Sequence, residues 1–240
     1  MMNFRRYNNA TKIVIPNKVQ LSNNNFSNAF NNMRNLTIVS IPNNVVNLSY
    51  TYYNCHNLTG SPVCGENVTS MVNTYYGCVN LTGSPVCGNN VTSMYAAYAD
   101  CYNLTGSPAC GNNVTNMFIA YRNCSNLTGS PVCGENVTNM YYAYSDCPNL
   151  FGNGYFYSNK VDSIQNCFYG RNTSNHLNLY VPANSTTLNT CLYNNTSSMV
   201  GASIDWTDDI TTNRRYYNTK YNIYIYPVEN VAAARAANGD

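Results

Sequence analysis

Charge is scarce in this chain: only 9% of its 240 residues are Asp, Glu, Lys or Arg. Twelve basic residues against ten acidic ones give a formal net charge of +2. Nucleic-acid binding requires clustered Lys and Arg. The only tight basic pairs are Arg5 with Arg6 and Arg214 with Arg215, which are too small to form a groove. We therefore expect no nucleic acid among the partners.

Long apolar runs are also missing. No stretch approaches the roughly 20 apolar residues of a transmembrane helix, so we expect no membrane insertion. Polar residues follow Tyr7, where a secretory signal would carry its apolar run, so we expect no classical signal peptide. The localisation stays open, and a cell surface, an extracellular position or a virion is favoured.

Groups that carry chemistry are few. His56 and His176 are the only histidines, and neither has a nucleophile or carboxylate at a recurring position. The eleven cysteines lack the two-to-four-residue spacing of a zinc knuckle. The acidic segment 205–209 lacks the alternating ligands of a calcium loop. The sequence predicts no enzyme, no cofactor and no metal.

A period of 23 residues is the main feature that is present. Leucines and cysteines recur at this step, together with a second cysteine row and a valine row: Leu58, Leu81, Leu104, Leu127, Leu150; Cys55, Cys78, Cys101, Cys124, Cys147; Cys64, Cys87, Cys110, Cys133; Val68, Val91, Val114, Val137. Such a period predicts stacked units that bury their apolar faces against one another. With 44% hydrophobic residues and 23 tyrosines, we expect an ordered chain.

Each unit is interpreted as a short strand, a turn and a short helix. The helix is inferred from Val91, Met94, Tyr98 and Cys101, which follow one another at helical spacing. The predicted fold class is an α/β repeat, a leucine-rich-repeat solenoid of about seven coils over residues 1–174. A C-terminal α+β capping region is predicted for 175–240, with a helix from Ser185 to Tyr193 and strands at 177–182 and 221–227.

The repeat resembles the BspA-like leucine-rich repeats of bacterial surface proteins. The resemblance covers about residues 10–173 and rests on the unit from Cys55 through Leu58, Val68 and Met71 to Cys78. It implies a leucine-rich-repeat fold and a role in adhesion or in binding host or matrix proteins, and similar repeats occur in proteins of gut phages. The segment Gly60-Ser61-Pro62 departs from the apolar alternation of that family's strand.

Three recurring side chains are given structural interpretations. The cysteines are interpreted as buried free thiols that fill the core as small apolar groups. The repeated Asn side chains, such as Asn67 and Asn90, lie in formal glycosylation sequons, yet we expect them to satisfy turn backbone. The row of Tyr52, Tyr75, Tyr98, Tyr121 and Tyr144 is expected in the core, with its hydroxyls reaching the rim.

Two sets of aromatic residues are the candidate binding residues. Tyr95, Phe118 and Tyr141 lie on the side of the repeat that varies from unit to unit, and Tyr216, Tyr217 and Tyr224 lie in the predicted cap. The predicted function is non-enzymatic binding of a protein or glycan at a cell or virion surface. A structural subunit of a phage particle or filament, binding copies of itself, is the alternative. A third, more distant hypothesis is binding of an ice or crystal surface through the row of Thr59, Thr82, Thr105 and Thr128.

Overall fold

The computed structural model describes residues 3–17, 19, 23–192, 198–209 and 215–240. After a short 3-10 helix at Arg5–Tyr7, these residues form eight strands and two helices. In chain order they are β1 Lys12–Val14, β2 Ile38–Ser40, β3 Val132–Cys133, β4 Gly152–Phe156, β5 Leu177–Pro182, α1 Thr186–Cys191, β6 Thr207–Asp209, β7 Arg215–Asn218, β8 Ile223–Val228 and α2 Val231–Ala237.

The predicted leucine-rich-repeat solenoid of strand–turn–helix coils is wrong. The two α-helices of the described residues both follow residue 185, so none of the 23-residue repeats contains one. The regular structure is instead mainly sheet: a parallel pair of β1 with β2, and a mixed six-stranded sheet in the order β3-β4-β5-β8-β7-β6. The repeats themselves are mostly turns.

The predicted division into two regions at residue 174 stays a prediction, although the larger sheet takes strands from both sides of that residue.

Hydrogen bonds between repeats explain why the expected helices are absent. Met94, Ala96 and Tyr98 donate their backbone N–H groups to carbonyls of the next repeat, those of Asn116, Phe118 and Ala120, at 2.8–2.9 Å. An α-helix needs those same N–H groups for its internal i→i−4 bonds. The intervening residues close tight turns inside the repeat. Buried side chains therefore recur every three to four residues although no helix forms. Single parallel bridges also join successive repeats from Asn25 to Ser163.

Left-handed backbone conformations recur within these turns. Ala96 and Asp100 have φ angles of 49° and 61°, and the equivalent Ile119 and Asn123 have 47° and 62°. Asparagine tolerates this region, and it occupies such positions at Asn28, Asn32, Asn54, Asn73 and Asn166. Ile119 is β-branched, and this conformation is a genuine outlier for such a residue.

Ile119 offers a direct test of this turn geometry. We expect Ile119→Asn to raise the free energy of unfolding by about 1 kcal/mol, because asparagine relieves the left-handed strain. The side chain of Ile119 is only partly buried, so replacing it removes few packing contacts. Urea denaturation measures the effect, with Ile119→Ala as the control that removes the β-branch but lacks asparagine's tolerance of the left-handed region. An asparagine variant no more stable than the alanine variant contradicts the assigned conformation.

The leucine row, the valine row and the cysteine row that begins at Cys55 are buried, as expected, whereas Cys64, Cys87 and Cys110 of the second cysteine row are only partly buried. The recurring Leu and Val residues are at most 5% exposed, and they share one core with the Met and Tyr rows. The rings of Tyr52, Tyr75, Tyr98, Tyr121 and Tyr144 stack in series, with centroids 5.0–5.6 Å apart. Phe4 and Phe30 continue this row at the N-terminal end, and Phe168 continues it after Tyr144. Equivalent side chains of successive repeats therefore lie over one another.

The hydroxyls of this row end inside the fold, not at its rim as expected. The hydroxyl of Tyr75 donates to the carbonyl of Val63 at 2.7 Å and accepts the N–H of the same residue at 2.9 Å. Tyr98 forms the same pair of bonds with Val86. The proline of each Ser-Pro segment precedes the bonded residue, and only β3 forms a strand among these segments. The hydroxyl of Tyr52 lacks such a partner.

The C-terminal region confirms three of the expected elements. β5 and β8 pair in parallel over six residues, from Leu177 with Ile223 to Pro182 with Val228. Helix α1 begins after Ser185, whose hydroxyl accepts the N–H of Leu188 at 3.0 Å as an N-cap. The predicted helix end, Tyr193, lies outside the described residues.

Candidate functional site

The first set of candidate residues forms a row on the outside of the repeats. Tyr95 and Phe118 stack at 4.9 Å between ring centroids, and Phe118 and Tyr141 stack at 5.2 Å. The interplanar angles are 5° and 8°, so the rings are nearly parallel. All three side chains are half-buried. Tyr142 packs edge-on against Tyr141 at 4.7 Å.

This stacking limits what the row can bind. Each neighbour covers one face of the ring beside it, so both faces of Phe118 are covered. Phe118 therefore presents a ring edge to solvent, and Tyr95 and Tyr141 each keep one uncovered face at most. A sugar ring that stacks on an aromatic residue needs a free aromatic face. The row is better suited to edge contacts and hydroxyl hydrogen bonds with a protein surface.

Two residues of the second set, Tyr217 and Tyr224, lie on the outer face of the six-stranded sheet. Tyr217 on β7 is paired with Tyr224 on β8, and their rings stack at 6.1 Å. On the same face Tyr180 stacks on Tyr226 at 5.0 Å. We call Tyr180, Tyr217, Tyr224, Tyr226 and Arg215 the tyrosine face; all five side chains are half-buried.

Arg215 is the charged residue of the tyrosine face. Its guanidinium carbon lies 5.5 Å from the ring centroid of Tyr217 and 5.7 Å from that of Tyr224, within cation–π range. Its Nε lies 3.4 Å from Oδ2 of Asp209. A side-chain hydrogen bond with Tyr226 raises the pKa of Arg215 above its ordinary value. These contacts hold the guanidinium among the rings of the tyrosine face and favour its charged form.

The structure separates Tyr216 from the other two predicted cap residues. Tyr216 is paired with Ile225, which is buried, and packs against the hydrophobic core on the opposite face of β7. Sequence reasoning missed Arg215 and Tyr180, whereas Tyr226 belongs to the run of cap tyrosines in which a partner contact was expected. The alternation of Tyr224, Ile225 and Tyr226 in β8 is the signal that places the two tyrosines on one face.

A shallow depression of roughly 360 Å³ opens on the tyrosine face. Its lining combines three residues of the face with three neighbouring polar side chains: Arg215, Tyr224, Tyr226, His176, Asn178 and Asn222. Tyrosine and arginine are the residue types that most often dominate binding energy at protein interfaces. The depression can therefore accept a protruding side chain and offer it ring surfaces, hydroxyl and amide hydrogen bonds and one positive charge.

A larger cleft of roughly 610 Å³ lies between the strand side of two repeats and the C-terminal residues. Pro108, Cys110 and Val132 belong to its wall, and Arg235 and Asp240 close it from the other side. The guanidinium of Arg235 lies 5.4 Å from the ring centroid of Tyr155, and its Nη1 is 3.4 Å from the hydroxyl of Tyr157. The carboxylate of Asp240 accepts hydrogen bonds from Tyr155 and Asn153, so α2 and the residues after it are held against β4.

All eleven cysteines are free thiols. Burial raises the pKa of Cys55 to about 12 and that of Cys110 to about 11, so both thiols are neutral near pH 7. The thiol of Cys101 donates to the carbonyl of Tyr75 at 3.0 Å, and its equivalents repeat this bond. Buried neutral thiols are poor nucleophiles and poor metal ligands. Within the described residues, no group of three or more His, Cys, Asp or Glu side chains is placed to hold a metal ion.

The repeated asparagines make the backbone contacts that were expected of them. Nδ2 of Asn90, Asn113 and Asn136 donates to a carbonyl 24 residues earlier, at 2.8 Å in each case. The neighbouring threonines, such as Thr92, also bond through Oγ1 to the preceding repeat. These polar rows fasten the repeats to one another.

Comparisons with known proteins give no family for this chain: no family model matches it, and neither do any curated proteins or solved structures. The resemblance to BspA-like repeats therefore stays a prediction. In the part of the chain that the structure describes, no helix has the length and apolar character needed to cross a membrane.

Proposed function

We propose that this chain is a non-enzymatic module that binds another protein at a cell or virion surface, with the tyrosine face as its contact site. The observation that carries the proposal is the packing of Arg215 against Tyr217 and Tyr224, beside an open depression. The described lining of the depression holds one guanidinium and no carboxylate, so its recognition depends on aromatic area, hydroxyls, amides and that guanidinium. Such clusters anchor protein interfaces at modest conformational cost.

Two further features support a protein over a glycan as the partner. The outer row of Tyr95, Phe118 and Tyr141 has its ring faces largely covered by stacking, so it presents few platforms for sugar rings. The rings of the tyrosine face are also stacked in pairs. The surface role implied by the resemblance to bacterial surface repeats agrees with this proposal but does not test it.

Removing one ring from the tyrosine face tests the proposal. We expect Tyr224→Ser to weaken retention of a surface protein by about 30-fold, the effect of losing an anchor worth about 2 kcal/mol. The immobilised protein is exposed in parallel to solubilised cell-surface or virion proteins and to a glycan array. Tyr102→Ser is the matched control, because Tyr102 is 43% exposed and lies in another part of the fold. Equal retention by both variants, or retention of glycans alone, contradicts the proposal.

Assembly with copies of itself is the second candidate, and one observation favours it. Among the described residues, β1 pairs with β2 alone, so its other edge is open to a further strand. Val14 on this edge strand is 57% exposed. Sedimentation velocity tests the alternative: oligomers that grow with concentration and are abolished by Val14→Lys support a structural subunit. Monomers at every concentration rule it out.

A further inference from the structure

The depression on the tyrosine face has an unbalanced set of charges. Arg215 is the only Arg, Lys, Asp or Glu in its lining, which otherwise consists of two tyrosines, two asparagines and one histidine. Among the described residues, Asp209 is the carboxylate placed against Arg215, and its Oδ2 lies 3.4 Å from Nε, outside the lining. Charge-assisted hydrogen bonds of this type are shorter, at about 2.7–2.9 Å. The ion pair is therefore loose, and the lining holds a positive charge and no negative one.

The charged end of Arg215 lies at the depression itself. Its guanidinium carbon is 5.7 Å from the ring centroid of Tyr224, and a side-chain hydrogen bond joins it to Tyr226. Both tyrosines line the depression. A guanidinium has five N–H groups, and the described contacts with Asp209 and Tyr226 involve two of them. N–H groups therefore remain for a ligand, on a side chain that the rings already hold in place.

A second guanidinium adds to the positive potential at this site. Nη2 of Arg171 donates to the carbonyl of Asn175 at 2.8 Å, and Nη1 donates to the carbonyl of Tyr221. These two residues directly precede His176 and Asn222, which line the depression. Burial lowers the pKa of Arg171 to about 10, so it stays charged near pH 7. Its described partners are neutral carbonyls, so its charge is not cancelled by a carboxylate among them.

The neutral side chains of the lining supply further hydrogen-bond donors. Nδ2 of Asn178 donates to Oδ1 of Asn153 at 3.0 Å, and Nδ2 of Asn222 donates to the carbonyl of Thr173 at 3.3 Å. An amide nitrogen carries two N–H groups, and each of these bonds uses one. The depression thus combines amide donors with a guanidinium, and an ionised carboxylate is a group that only accepts hydrogen bonds.

We infer that the partner protein inserts an acidic side chain, Asp or Glu, into this depression, where its carboxylate binds the guanidinium of Arg215. The inference rests on the proposed function, because it names the group by which the partner is held at that site. A carboxylate is planar, carries one negative charge and matches the fork of a single guanidinium. An apolar side chain in the same place would cover the guanidinium without pairing its charge, which is unfavourable. Phosphate groups are typically held by clusters of arginines, and the lining contains one.

The experiment compares a carboxylate probe with its neutral counterpart. The wild-type protein is titrated with N-acetyl-glutamate N-methylamide, called blocked glutamate, and separately with the corresponding blocked glutamine, while NMR follows the ring signals of Tyr224 and Tyr226. We expect saturable shifts with blocked glutamate and about tenfold weaker binding of blocked glutamine, which has the same shape but no charge. Raising the salt concentration from about 0.1 M to about 0.5 M is expected to weaken the binding of blocked glutamate, because salt screens an exposed ion pair.

A pair of arginine variants shows whether Arg215 is the group that binds the probe. We expect Arg215→Gln to weaken the binding of blocked glutamate about tenfold. Arg6→Gln is the matched control, because it removes the same charge from an exposed position near the N-terminus, and it should leave the affinity unchanged. Near-ultraviolet circular dichroism checks that both variants are folded. The comparison of the two probes needs only the wild-type protein, so it holds even if Arg215→Gln does not fold.

Three results overturn the inference. Equal affinity for the two probes shows that the depression does not select a carboxylate. Unchanged affinity for blocked glutamate in Arg215→Gln shows that another group binds it. Inorganic phosphate that shifts the same ring signals at lower concentration than blocked glutamate identifies a phosphate site instead.

The retention experiment with Tyr224→Ser separates this inference from the proposed function. Lost retention in that variant, with no binding of blocked glutamate to the wild-type protein, overturns the inference and leaves the proposed function standing. Equal retention by Tyr224→Ser and its control, with saturable binding of blocked glutamate, supports the carboxylate site and overturns the proposed function.

Discussion

Raising the pH above about 9 is expected to unfold this protein cooperatively, because its buried thiols must remain neutral in the fold. Burial raises the pKa of Cys55, Cys87, Cys147 and Cys191 from 9.0 to about 12. Between these two values the unfolded chain loses the proton and the folded chain keeps it. Stability is therefore unaffected below the unfolded pKa and falls as the pH rises towards the folded pKa.

The size of the effect follows from the number of thiols. Each such group lowers the free energy of unfolding by about 1.4 kcal/mol per pH unit in this window. For ten thiols with strongly raised pKa values, the summed loss of free energy of unfolding would exceed a typical total stability of about 5–15 kcal/mol within one to two pH units. Burial of the tyrosine row raises its pKa values as well and adds to the loss above pH 10.

Near-ultraviolet circular dichroism across a pH series measures this transition, with refolding on return to neutral pH in a reducing buffer. We expect a midpoint below about pH 11 and release of several protons on unfolding. Cys101→Ala is the informative variant, since it removes one thiol and lowers the proton count by one. A native spectrum that persists to pH 12, or thiols that titrate near 9 in the folded protein, contradicts the assigned burial.

Gly111→Ala is expected to destabilise the protein by about 2–4 kcal/mol. A Cβ at Gly111 would lie 2.5 Å from the carbonyl oxygen of Gly88 and 3.2 Å from Sγ of Cys87, in the preceding repeat. A methyl group there forces the backbones of the two repeats apart, and overpacking of this kind costs about 1–3 kcal/mol or more. The loss arises only if successive repeats approach as closely as the structure has them.

Gly65 supplies the matched control at the equivalent position of an earlier repeat. A Cβ there would meet the carbonyl oxygen of Asn43 at 3.4 Å, an ordinary contact. We expect Gly65→Ala to be neutral, or stabilising by up to about 1 kcal/mol through the unfolded state. Chemical denaturation of both variants measures the difference. Equal effects at the two positions would show that the spacing between repeats does not tighten along the chain.

The period and the core could be predicted from the sequence. Rows such as Leu58, Leu81 and Leu104 share one step with the cysteine and valine rows, and residues that repeat together are buried together. This inference needs only the tendency of apolar groups to leave water, which does not depend on backbone conformation. The free thiols and the structural role of Asn90 followed from the same rows.

The local conformation could not be predicted from apolar spacing. Val91, Met94 and Tyr98 are spaced three to four residues apart. This spacing places their side chains on one side of a helix, and equally on one side of successive turns that pass through the left-handed region. The available signal was the asparagine at positions such as Asn54 and Asn73, since asparagine adopts that region more readily than most other residues except glycine. Ala96 and Ile119 carry no such signal at the equivalent positions, because pairing with the next repeat imposes their conformation.

The candidate site was predicted in part. The density of tyrosines after residue 215 pointed to this segment, and Tyr217 and Tyr224 lie together on the tyrosine face. Tyr216 alternates to the opposite face of β7, and the sequence of this short strand does not reveal which face is buried. The positions of Arg215 and Tyr226 depend on the register between β7 and β8, which is a tertiary property.

Nuclear Overhauser contacts decide whether successive repeats pair as the structure has them. We expect ring–ring contacts from Tyr75 to Tyr98 and from Tyr98 to Tyr121, whose centroids lie 5.3 and 5.4 Å apart. We also expect contacts between Ser93 and Asn116, which are bridged. Helical contacts between residues three and four apart across 91–101, with none of these ring–ring contacts, would contradict the pairing of the repeats.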